Sequence, residues 1–136
     1  MKDERYPKEL FSWQVRHNGL ITRRFSRDRI RAFRGEDENS GKRGAMLGQG
    51  ICSATRRADA ERYGKVRIMK PEELPENPLR FRDFAWLEMW QSELRRTLGD
   101  KEYHRRGEFD GIARELGFDG MTVGCADDMW ICTYGH

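Results

Sequence analysis

The chain has 136 residues, 37% hydrophobic and 36% charged, with 26 Lys and Arg against 23 Asp and Glu and a net charge of +3. That length suits a single domain, residues 1–136, with a core of its own. No run approaches the roughly 18 apolar residues of a membrane span and no apolar secretory segment opens the chain, so the expectation is a cytoplasmic domain with no membrane partner.

Pro7 suits the first turn of a helix through about His17, with Leu10, Phe11 and Val15 on one side and Asn18-Gly19 as its stop. Residues 20–25 and 29–34 read as short, arginine-dense strands, and Glu36 to Gly44 as a polar loop. Gly50 to Ser53 looks like the end of a buried strand. Ser53 or Thr55 is the candidate cap of a helix running to Tyr63, with Gly64 at its end.

Val66 to Met69 is a strand candidate. Pro71, Pro75 and Pro78 forbid a helix through the next connection, and Leu79 to Phe81 reads as a short strand. From Asp83 to Leu98 the spacing is helical: Phe84, Leu87, Gln91, Leu94 and Leu98 recur three and four apart. Trp86 and Trp90 widen that apolar face and read as core packing. Phe109, Ile112, Ala113 and Leu116 form a second helical stripe, closed by Gly117, and Asp119 shapes the following turn. Met121 to Val123 and Met129 to Tyr134 read as two late strands. Strands and helices do not alternate regularly, which predicts an α+β fold.

Several chemistries are missing from the sequence. It has no GxGxxG after a strand, no GxxxxGK[ST] and no GxSxG. Cys52, Cys125 and Cys132 read as reduced core thiols, with no CxxC and no Cys/His zinc spacing. His17, His104 and His136 are scattered, so no metal site is expected. Basic clusters at Arg23-Arg24, Arg27 to Arg34, Arg56-Arg57 and Arg105-Arg106 suit nucleic acid or a phosphorylated cofactor, although each alone also reads as a solvated face.

Three separated segments carry a likeness. Arg34-Gly35 is an Arg-Gly pair at a strand end. Gly48-Gln49-Gly50-Ile51-Cys52-Ser53-Ala54-Thr55 precedes Ala60-Glu61-Arg62-Tyr63-Gly64. Asn77-Pro78-Leu79 is followed by Gly117-Phe118-Asp119-Gly120 and by Asp127-Asp128-Met129-Trp130-Ile131. In this order they resemble the small phage and bacterial domains of the ADP-ribosyltransferase family. The likeness covers residues 29 to 134. It implies an ADP-ribosyltransferase-like split β-sandwich with peripheral helices, holding NAD as substrate in the cleft between two small sheets.

The resemblance also implies site residues. Arg34 would grip pyrophosphate or the adenosine ribose, and the Gly35 backbone would bond the nicotinamide amide. Gly50 and Ile51 belong to the cofactor-binding strand. Ser53 and Thr55 would bond a ribose hydroxyl and fix the turn. Asp128, with Asp127 beside it, is the candidate catalytic carboxylate at the start of the last strand. Two departures stand out: Cys52 occupies a position where a tyrosine is usual, with Tyr63 or Phe33 as the available substitutes, and aspartate replaces the family's glutamate.

The implied activity is cleavage of NAD with transfer of ADP-ribose to a macromolecular acceptor, protein or nucleic acid, as in a phage or bacterial effector acting on host machinery. Two alternatives remain open: an NAD glycohydrolase, and a catalytically degenerate module that binds a partner or nucleic acid. Taken singly, Arg34 also reads as a surface arginine, Ser53 and Thr55 as helix caps, and Asp127 and Asp128 as an acidic turn.

Overall fold

The computed structural model describes residues 6–36, 47–125 and 128–135. In chain order these form β1 (Phe33–Glu36), β2 (Gly50–Ala54), α1 (Arg57–Glu61), β3 (Lys65–Ile68), β4 (Pro78–Phe81), α2 (Phe84–Leu98), α3 (Asp100–Arg105), α4 (Glu108–Glu115), β5 (Gly120–Cys125) and β6 (Asp128–Tyr134). The strands join in one six-stranded mixed sheet of order β3-β1-β2-β6-β5-β4. The fold is therefore α+β, with an open sheet and helices. Among the described residues no helix is long and apolar enough to cross a membrane.

The sheet is uneven. β2 and β6 pair from Gly50↔Tyr134 to Ala54↔Trp130, and β5 and β6 form a long antiparallel hairpin. β4 runs parallel to β5, which requires the long crossover that α2, α3 and α4 provide. β1 and β2, by contrast, meet at one register pair, Phe33↔Ala54. That seam is the weakest junction of the sheet.

α2 begins where Asp83 Oδ1 accepts the Trp86 backbone N–H at 3.1 Å and ends at Gly99, whose φ of 83° breaks the helix. Its Leu87, Trp90 and Leu94 enter the main core with Phe109, Ile112 and Ala113 of α4. Trp90 stacks on Phe11 at 4.9 Å and donates its indole N–H to the Leu10 carbonyl at 2.7 Å. A smaller core of Phe25, Ala32, Met69, Leu74, Met129 and Ile131 lies against the other face of the sheet.

Three expectations need correction, and one helix is additional. Pro7 starts only a turn, closed by the Leu10 and Phe11 N–H groups on its carbonyl; the helical segment follows, and its π-helical turn Val15–Gly19 ends at the expected glycine. Residues 20–25 make no strand: Leu20 alone bridges to Phe81, because the exposed Arg23 and Arg24 leave nothing to bury against the sheet. α3 was not foreseen, since Asp100 to Arg105 has only Tyr103 buried and hence no apolar stripe. Cys125 is exposed at the end of the β5–β6 hairpin rather than in the core, whereas Cys132 is buried. Asp119 does shape its turn, accepting the Glu76 and Asn77 N–H groups at 2.8 Å each.

Candidate functional site

Gly35 shows which way the motif strands face. A Cβ there would stand 1.9 Å from the Ala60 carbonyl oxygen, so α1 sits directly on β1. Residues two apart in a strand share a face, and directly paired residues do too. Phe33 and Gly35 therefore lie on the α1 side. So do Ala54, paired with Phe33, and Trp130, paired with Ala54. Trp130 packs on the core under α2 and α4, so all the helices named here cover this same face.

On that helical face the sheet carries a partly exposed aromatic wall. Tyr63, just past α1, meets Trp130 edge-on at 6.1 Å and 86°. Phe33 has the guanidinium groups of Arg31 and Arg57 each 5.9 Å from its ring centroid. Asp128 opens β6 on the same face as Trp130, two residues or about 7 Å along the strand. Its side chain is exposed and takes no ion pair or hydrogen bond from another described residue. Asp127 lies outside the described residues.

Arg34, Ile51 and Ser53 project to the opposite face. Arg34 is committed to the seam: its Nη1 donates to the Cys52 carbonyl at 2.8 Å, and its Nε stands 3.6 Å from Glu36. It thus reinforces the one place where β1 and β2 share a single pair. Glu36 in turn pairs with Arg67, which also holds Glu73 in a two-point fork at 3.0 and 2.9 Å. Arg67 keeps both carboxyls below their ordinary range. Ser53 is buried, and its hydroxyl has no hydrogen-bond partner among the described residues. Ile51 is 44% exposed.

The cap is not made as expected. α1 starts after Arg56 with no side-chain cap. Thr55 is engaged elsewhere: its hydroxyl accepts the Met129 N–H at 2.9 Å and extends the β2–β6 ladder by one bond. Gly50 is needed for close packing within the protein, since a Cβ there would meet the Thr133 carbonyl oxygen at 2.2 Å. Gly48, at φ +106°, lets the chain wrap Asp110, which accepts the Gln49 N–H at 2.9 Å while Arg114 donates to the Gln49 carbonyl at 2.6 Å. The glycines of the second motif thus serve contacts to β6 and α4.

The structure therefore brings Gly35, Gly50, Tyr63 and Asp128 to one face and sends Arg34, Ile51 and Ser53 to the other, with Thr55 at the strand end between them. Two features were not legible beforehand. Trp130 forms part of the wall; its spacing of two from Asp128 was the available signal. Cys52 and Cys132 are direct cross-strand partners. The Cys132 thiol donates to the Gly48 carbonyl at 3.7 Å; the interaction of the two thiols lowers the Cys52 pKa and raises that of Cys132, and the nearby Arg34 charge also favours a Cys52 thiolate.

Chemically, the helical face combines flat aromatic surface, flanking guanidinium groups and a free carboxylate. This set suits a planar or cationic group attached to a phosphate-bearing body. Among the described residues no group of three or more His, Cys, Asp or Glu is placed to hold a metal ion. Comparison with protein-family models, with curated proteins and with solved structures returns no significant match.

Proposed function

We propose that this chain is a mono-ADP-ribosyltransferase, with NAD as substrate and a macromolecule as acceptor. One observation carries the reading: three segments far apart in sequence, around Arg34-Gly35, Gly50 to Thr55 and Asp128 to Ile131, lie on neighbouring strands in the order β1-β2-β6. A ligand laid across those strands would touch all three. On this reading the seam between β1 and β2 corresponds to the division of the family's split sandwich.

The residues then take these roles. Tyr63 and Trp130 wall the nicotinamide, in place of the usual tyrosine at Cys52. Gly35 offers its backbone and α1 closes over it. Arg31 and Arg57 supply positive charge for the phosphates. Arg34 is a positioning residue that holds the seam, and Ser53 and Thr55 support the same strand. Asp128 is the carboxylate that stabilises the positive charge on the ribose as nicotinamide leaves with the bonding pair. The acceptor nucleophile then bonds the ribose carbon and gives up its proton.

The test is nicotinamide release by the purified protein, with adenylate-labelled NAD and a cell lysate. Release with label on a macromolecule supports the transferase, and release without labelling makes the protein a glycohydrolase. Asp128→Ala is expected to abolish release while the fold is retained; undiminished turnover moves the carboxylate elsewhere. Absence of both nicotinamide release and NAD binding would overturn the reading. The arginines around Phe33 then favour a nucleic-acid-binding module, whose affinity should fall steeply with salt.

A further inference from the structure

Arg80 lies in β4, on the sheet face away from the helices. Its neighbours Leu79 and Phe81 enter the helical core, while Arg80 pairs with Thr122 and Thr122 with Ile131, which belongs to the smaller core. Arg80 is only 7% exposed. Its Nε donates to the Thr122 hydroxyl at 3.2 Å, its Nη1 donates to the Arg23 carbonyl at 2.9 Å, and the group lies 5.4 Å from the centre of the Phe25 ring. Among the described residues Nη2 finds no hydrogen-bond partner and no carboxylate stands within ion-pair distance of Arg80. Burial pulls the Arg80 pKa down.

A buried cation without a counter-ion is costly, and proteins normally pair it. Arg80 instead opens onto a cavity of about 430 Å³, which Arg23, Arg24, Phe25 and Tyr6 also line. Glu76 reaches the same cavity, but its carboxylate is held by Arg27 at 2.9 Å. Three arginines thus surround a space in which the one carboxylate among the described residues, Glu76, is already engaged by a fourth. The free edge of a guanidinium fits a phosphate better than a lone chloride, because its donors form a planar fork. The aromatic walls leave room for the body of a small molecule beyond the phosphate.

We propose that this cavity binds a small phosphate-bearing ligand through Arg80, Arg23 and Arg24. The site lies on the sheet face opposite Asp128 and Trp130, so it stands whether or not the chain turns over NAD.

The experiment is isothermal titration of the whole chain with inorganic pyrophosphate, against sodium chloride of equal ionic strength. Saturable one-site binding is expected. Arg23 and Arg24 are exposed and support no core contact, so the double variant R23Q/R24Q should fold normally and bind about tenfold more weakly. Arg80→Lys, which keeps the charge and loses the fork, should weaken binding by a similar factor, with the thermal unfolding midpoint checking its fold. Heats no different from chloride, or unchanged affinity in R23Q/R24Q, would overturn the proposal. So would tight binding of an oligonucleotide without terminal phosphates when pyrophosphate does not bind.

Discussion

The two halves of the sheet are built differently. β4, β5 and β6 carry Leu79, Phe81, Met121, Val123 and Cys132 into a core closed by α2 and α4. β3 and β1 have the short α1 on that side, with Cys52 of β2 packing on the edge of the main core; this half exposes Ile68 and Ile51 and is tied together by Arg34, Arg67, Glu36 and Glu73. Apolar burial is cooperative and resists local opening; exposed ion pairs are worth little and yield to salt. The first half is a scaffold. The second is held by fewer pairings at the β1–β2 seam and carries the first two motif segments, whereas Asp128 to Ile131 lies on β6 of the scaffold.

The largest test of that contrast is Trp90→Ala. It removes a fully buried ring together with its stack on Phe11 and its bond to Leu10. A loss of about 3–5 kcal/mol is expected in denaturant unfolding. A loss below about 1 kcal/mol would mean that the helical half is not the scaffold.

Next is Gly35→Ala. The added methyl would drive against the Ala60 carbonyl and push α1 from β1, costing about 3 kcal/mol by overpacking. Hydrogen exchange should quicken in α1 and β1 first, with α2 still protected; equal quickening in α2 would erase the distinction between the halves. Nicotinamide release, where present, should fall with it.

Thr55→Val has a smaller effect. It keeps the shape and removes the hydroxyl that accepts the Met129 N–H, for a cost of about 1–2 kcal/mol. If Thr55 were a helix cap instead, the loss would show as fraying of α1 rather than of the β2–β6 junction.

The smallest effect is the acid response of the ion-pair network. Glu36 and Glu73 are held below the ordinary value of 4.5 by Arg67. A depressed folded value means that their contribution is present above about pH 4.5 and is lost as pH falls through the folded values. Because these side chains are exposed, the loss should be under about 1 kcal/mol and should shrink in salt. Unfolding midpoints between pH 6 and pH 3, with Glu36→Gln and Glu73→Gln as flat references, would check the sign. A midpoint that rises on acidification would overturn it.

Much of the scaffold was legible in the sequence. Leu87, Trp90 and Leu94 repeat with the helical period, Asp83 caps and Gly99 stops, so α2 follows from local chemistry. The same holds for α4 and for the turn at Asp119. Residues 20–25 misled because the β-prone Leu20, Ile21, Thr22 and Phe25 imitate a strand, while strand formation requires a partner along the whole segment and, among the described residues, Leu20 alone has a bridge partner. The candidate site was half legible. Its strands were marked by glycines and by order, but the facing of Arg34, Ser53 and Asp128 was not. Adjacent residues of a strand point to opposite faces, so a one-residue difference in register reverses every assignment.

The sequence by itself determined the α+β class, the long core helix and the strands from Gly50 onward, because these depend on spacings of a few residues. Only the tertiary structure decided that β1, β2 and β6 are neighbours, that Cys52 stands opposite Cys132, that Arg34 clamps a seam and that Arg80 is a buried cation beside a cavity. Those facts rest on pairings between residues far apart in the chain, such as Ala54↔Trp130 and Gly50↔Tyr134, and no local pattern specifies which strand will lie beside which.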